Sequence, residues 1–168
     1  SIGSGSLGHL AMAQVGNMVG TSFNHIPYRG GGPLMTDAVG NQVPMAIGTV
    51  FLVTPHVQAG RVKPLAVTSA KAAPSLPGTL PMAEQGVPGF EALAWWGLLA
   101  PAGTPKPIVD RMHAEVSKVL AKAEVKEKLS SQGMDIVASS PADFDKFLNN
   151  EIDRWAKVVK DNDIQAGK

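Results

Sequence analysis

Gly3-Ser4-Gly5-Ser6 stands directly ahead of a segment with helical periodicity. Backbone N–H groups at a helix start are unpaired and carry partial positive charge, so they receive anions. Ser4 and Ser6 add two hydroxyl donors. The loop is not a P-loop, because no Gly-Lys-Ser/Thr follows it. The same arrangement serves equally as a capped helix start with nothing bound. Tyr28-Arg29-Gly30-Gly31-Gly32-Pro33 repeats the design, with a β-like run passing through glycines into a helix. Thr49 closes a further apolar run ahead of a third helical segment. Each reads as a ligand-facing turn or as a tight strand–helix connection that glycine permits. Three in succession at strand ends favour a polar, anion-compatible cleft.

Other chemistry finds few actors. His9, His25, His56 and His113 fit neither His-x-x-x-His nor His-Glu-x-x-His spacing, and no carboxylate cluster accompanies them. They read as ordinary packed or surface residues, and no metal is expected. A serine hydrolase needs a serine, a histidine and an acid, usually with Gly-x-Ser-x-Gly around the nucleophile. Gly3-Ser4-Gly5 and Gly5-Ser6-Leu7-Gly8 only brush that pattern, and His9 follows too closely to be the usual base. Asp37 falls on a helical segment and Glu84 in an irregular stretch, so acid–base catalysis has no evident pair. The chain reads as equipped to bind rather than to react.

The elements that must position these residues alternate. Leu7, Leu10, Ala11, Val15, Met18 and Val19 predict a helix over 7–19, with Ser4 or Ser6 as N-cap and Gly20 as stop. β-like runs are expected at 23–28, 45–49, 65–68 and 94–99, with helices at 34–39 and 50–59 between them. This pattern predicts a mostly parallel sheet flanked by helices. After about residue 100 the character changes. Thr104 and Pro105 open a helix carrying Ile108, Met112, Val116 and Leu120, and a shorter helix covers 123–130. A short strand is expected at 135–137. Ser140-Pro141-Ala142-Asp143 then opens a long helix striped by Phe144, Leu148, Ile152, Trp155 and Val159. Adjacent Trp95 and Trp96 face opposite ways on a strand, one toward the core and one covering a helix.

Composition narrows the classes further. The 168 residues carry 15 Lys plus Arg against 14 Asp plus Glu, a net charge of +1, which argues against a nucleic-acid binder. Hydrophobic residues make up 44% and charged ones 17%, a globular balance. No cysteine is present, which removes disulfides, thiolate metal sites and cysteine nucleophiles together. No cofactor is implied. The chain opens on Ser-Ile-Gly with neither an initiator methionine nor an apolar leader, so a targeting segment is expected to be absent or already removed.

Several segments together carry a resemblance. These are His25-Ile26-Pro27-Tyr28-Arg29-Gly30-Gly31-Gly32-Pro33, Pro64-Leu65-Ala66-Val67-Thr68-Ser69 and Pro88-Gly89-Phe90. Trp96-Gly97-Leu98-Leu99-Ala100-Pro101-Ala102-Gly103-Thr104-Pro105 and Arg154-Trp155-Ala156-Lys157-Val158-Val159-Lys160 complete the set. In order and spacing the chain resembles the Bug/TctC family, the extracytoplasmic solute-binding receptors of tripartite tricarboxylate transporters. The resemblance covers nearly the whole chain.

It implies an α/β fold, a lobe of the type II periplasmic binding proteins followed by a helical C-terminal segment. Members are about twice this length and hold a carboxylate between two lobes. By the resemblance, residues 1–95 are the second ligand-binding lobe, and 96–168 are a crossover strand and helices that complete the first. The first lobe's opening units would lie upstream of Ser1. Ser1, Ser4, Gly5, Ser6 and His9 match the family's Gly/Ser loop and helix start. Tyr28, Gly30 and Gly31 match its strand–glycine turn, and Thr49 its polar position after the next strand. Pro44 and Gly48 stand where many members have acidic or bulkier residues, which leaves the substrate open. The implied function is periplasmic capture of a small di- or tricarboxylate or acidic amino acid, delivered to membrane subunits, without catalysis. A half-length chain is further expected to expose apolar surface and self-associate. Two other readings stay open: a hydrolase or phosphate-handling enzyme using the Gly-Ser loop and His9, and a non-transport sensor or interaction module.

Overall fold

The computed structural model describes residues 1–165, and its chain divides into two compact units. One comprises residues 1–94 with the segment from Trp155 onward, the other residues 95–154. Among the described residues there are six α-helices and one 3₁₀ turn.

In the first unit, α1 spans Leu7–Val19, α2 Gly31–Val39 and α3 Val50–Gln58. Helix α1 begins and ends as its sequence requires. Ser6 is the N-cap, its hydroxyl accepting from the His9 N–H, and Gly20 takes the left-handed conformation at the C-terminus. Helix α2 starts at Gly31, three residues before the predicted start, which brings Pro33 into its first turn. A 3₁₀ turn covers Met82–Glu84, in the stretch read as irregular. The core gathers Ala11 and Val15 of α1 with Val87, Phe90 and Ala92, and Leu7, Ile47, Met82 and Trp155 pack against it. Leu34 and Met35 bury the inner face of α2.

The runs expected as strands are non-helical, but no regular strand is assigned among the described residues. Two pairings of parallel sense survive, and a single further bond runs from the Ala92 N–H to Thr68 O at 2.8 Å. Val67 donates to Leu80 O and accepts from the Met82 N–H, bridging to Pro81. The Ser1 amino group donates to Ile26 O while Ser1 O accepts from the Tyr28 N–H. A strand is a paired object, stabilised by its neighbour's ladder, and these segments meet each other at single residues only.

The second unit holds α4 (Lys106–Ala121), α5 (Ala123–Ser131) and the first part of α6 (Pro141–Asp161). Pro105, not Thr104, is the N-cap of α4; the Thr104 hydroxyl instead donates to Pro101 O. Ser140 opens α6 as expected. Its Oγ accepts from the Asp143 N–H, an N-cap bond, and donates to the Asp143 carboxylate. No strand forms at 135–137. Trp95 stands edge-on to Phe144 and Phe147, at 5.7 and 5.3 Å between ring centroids. Its indole N–H donates to Glu151 at 3.3 Å. Neither tryptophan is buried, and Trp96 remains 71% exposed.

Candidate functional site

Helices α2 and α3 start beside each other, and α1 starts beside the run that leads into α3, each approach made at a glycine. A Cβ on Gly8 would lie 3.0 Å from Ile47 Cγ2 and 3.4 Å from Ser1 Cβ, so the first turn of α1 lies against the run leading to Thr49. A Cβ on Gly31 would meet Leu52 Cδ2 at 2.7 Å, which sets the start of α2 against the first turn of α3. Three sets of unpaired N–H groups are thereby grouped in one unit.

A network of hydroxyls and imidazoles occupies the start of α1. Ser6 Oγ donates to Gly3 O at 2.7 Å and accepts from the His9 N–H at 3.4 Å. Ser1 Oγ lies 3.1 Å from Ser6 Oγ and 2.7 Å from His25 Nε2. The Gly5 N–H donates to His9 Nδ1 at 3.1 Å. A ring nitrogen that accepts cannot also carry a proton, so this bond places the proton of neutral His9 on Nε2. The His9 and His25 rings stack with centroids 3.7 Å apart and planes at 14°.

Ser1, Ser6 and His9 are joined directly, and Ser4 and Gly5 are exposed on the same loop. Gly30 is the N-cap of α2 at φ 107° and ψ −179°, a conformation essentially confined to glycine. Thr49 is the N-cap of α3, but its hydroxyl makes no capping bond. Tyr28 joins the loop through its backbone only. Its phenol donates to Asp37 Oδ2 at 2.8 Å, away from the serines. Burial first, and then the Asp37 bond and charge, hold this phenol above its usual range.

Two partners in this network were not expected, His25 and Asp37. His25 sits within the motif that carried the resemblance, but its partners Ser1 and His9 are remote in sequence, and no spacing rule links them. Gly3, Gly5 and Gly8 also fall at Gly-x-Gly-x-x-Gly spacing. The dinucleotide fingerprint further needs an acidic residue about twenty positions on, and the first acidic residue of the chain is Asp37.

Burial lowers His25 to about 4, helped by the charge of His9 and of the Ser1 amino group. His9 is lowered by burial and then by the same amino group. A histidine depressed on folding binds fewer protons in the native state than in the unfolded chain. Its contribution is present above pH 6.5 and is lost as the pH falls toward 4. With the ring partly exposed, solvent screening reduces the effect to about 1 kcal/mol. The melting temperature is therefore expected to drop across that window, and less steeply in His25→Asn. Parallel melting curves for the two proteins would refute this attribution.

The chain matches the family model described as the tripartite tricarboxylate transporter family receptor, TctC, over residues 1–164. It is 36% identical over 169 residues to a UPF0065 protein in the tcbD-tcbE intergenic region of Pseudomonas sp. strain P51, covering 100% of this chain and 50% of the relative. Among solved structures it is similar to R. palustris Rpa4515 with adipate, at a TM-score of 0.87 and 35% identity over 97% of this chain and 55% of the other. It is also similar to the periplasmic binding protein BugD, at a TM-score of 0.83 and 31% identity over 95% of this chain and 54% of the other. The chain thus spans about half the length of most of the curated relatives it matches. These solved neighbours carry the α/β binding-protein fold, the class expected from the alternation of elements.

Proposed function

The chain belongs to the tripartite tricarboxylate transporter receptor family, TctC, and from that membership we propose that it is part of a periplasmic receptor that captures a small carboxylate. The observation that carries the reading is the grouping of three helix starts with the Ser1 and Ser6 hydroxyls in one unit. An anion placed there meets partial positive charge and oriented donors without a buried lysine or arginine. Ser1, Ser4, Gly5, Ser6, His9, Tyr28, Gly30, Gly31 and Thr49 form one wall of the cleft. Residues 1–95, joined by the segment from Trp155 onward, make the lobe that carries this wall, and the rest of 96–168 contributes to the opposite lobe. Binding draws the lobes together, and membrane subunits of the transporter read the closed form. The adipate in the R. palustris neighbour supports a dicarboxylate as the ligand class.

The Ser1–His25 contact at 2.7 Å is the one feature that favours a hydrolase. A histidine held at about 4, however, is a poor proton acceptor near neutral pH. A carrier fits these residues better than an enzyme.

A thermal-shift series tests the proposal. Adipate, succinate, citrate and glutamate are each expected to raise the melting midpoint with concentration, whereas the matching diamides leave it unchanged. Equal shifts with acid and amide, or none with any acid, would overturn the carboxylate reading.

A further inference from the structure

The His9–His25 stack lies inside the Gly/Ser network, and its chemistry follows from what surrounds it. Two imidazolium rings at 3.7 Å would repel strongly, so the pair holds one proton at most. From α1, His9 faces the Gly5 N–H through Nδ1. From the segment before α2, His25 faces the Ser1 hydroxyl through Nε2. The charges bearing on the pair are those of the rings themselves, with the Ser1 amino group adding to them where Ser1 is the chain's first residue, all of positive sign. Asp37 on α2 is bonded to the Tyr28 phenol. No anion among these groups compensates a proton on either ring, and a carboxylate in the loop would supply that charge.

We infer that occupation of the Gly/Ser loop by a carboxylate draws one proton from solvent onto the His9–His25 pair, so that the receptor takes up a proton with its ligand. This rests on the carboxylate reading above. On His25 the added proton makes both ring nitrogens donors. Ser1 Oγ then accepts from Nε2, and its own hydrogen is freed to turn toward the ligand or Gly3 O. Linkage fixes the sign: affinity strengthens as pH falls, by up to about tenfold per pH unit when a full proton is taken up. The folded empty chain shows the opposite trend and loses stability over the acidic range.

Calorimetric titration of adipate at about pH 6.5, in MES and in bis-Tris, counts the proton directly. Adipate's own protonation is measured in the same buffers and subtracted. The expected result is an observed enthalpy that differs between buffers in the direction of uptake, with affinity rising toward acid. Equal enthalpies with a flat pH dependence would overturn proton uptake and leave the carboxylate reading standing. No heat with adipate, succinate or citrate at any pH would overturn both. A second measurement needs no ligand. His9→Asn removes the like charge, so the His25 midpoint followed by imidazole NMR should rise; an unmoved midpoint would show that the rings are not coupled and would also sink the proposal.

Discussion

Phe90→Ala is expected to remove about 3–5 kcal/mol of stability, a large fraction of the roughly 5–15 kcal/mol a domain holds in total. Phe90 is 2% exposed and lies in the cluster with Ala11, Val15, Val87 and Ala92. Its removal forfeits the transfer free energy of an aromatic ring and leaves a cavity. The neighbours cannot readily fill that space, because two of the four are alanines. The same cluster seats α1, and α1 carries Ser6 and His9 to the candidate site. The loss should therefore appear in chemical denaturation followed by far-UV circular dichroism and also as weakened carboxylate binding. Phe147→Ala is the useful comparison. That side chain is 41% exposed in the second unit, so its loss should be markedly smaller. Equal costs at the two positions would mean that the Phe90 cluster is not the chain's main core.

Gly30→Val is expected to weaken carboxylate binding by about tenfold or more, alongside a stability cost of about 1–3 kcal/mol. At φ 107° and ψ −179° a Cβ is strained whatever the space around it. A β-branched side chain would relax by rotating the backbone at the N-cap of α2. That rotation moves the first N–H groups of the helix, and Gly31 has no room to follow, because Leu52 already occupies its Cβ position. Gly32→Ala provides the contrast: a Cβ there meets nothing within 4 Å. Thermal melts with and without adipate separate the stability cost from the binding cost. A valine variant that binds as well as Gly32→Ala would show that the start of α2 takes no part in the site.

Local signals were legible because local physics produces them. The Ser6 N-cap, the Gly20 stop, the Ser140 cap with Asp143 and the stripe along α6 each depend on residues within a turn or two of one another. Such features survive whatever the rest of the chain does. The strand expectations behaved differently. The runs at 23–28 and 65–68 carry the right residues, but a ladder needs a second segment, and here the pairings reduce to Ser1 with residues 26–28, Val67 with residues 80–82 and Thr68 with Ala92. Trp95 and Trp96 illustrate the same limit: alternation assigns them to opposite faces, but only packing decides what each face meets.

The sequence by itself determined the helices, the Ser6 and Ser140 caps, the glycine-rich turns and the family, since each is written in neighbouring residues or in an ordered run of motifs. Tertiary structure alone decided the chemistry of the site. It brought Ser1 to His25 across 24 positions, laid His9 on His25, and turned the Tyr28 phenol to Asp37. It also set Leu52 where a Gly31 side chain would stand. Periodicity reports only which way a residue faces; what it meets there is chosen when distant segments pack. That choice stacked His9 on His25 beside the Gly/Ser loop.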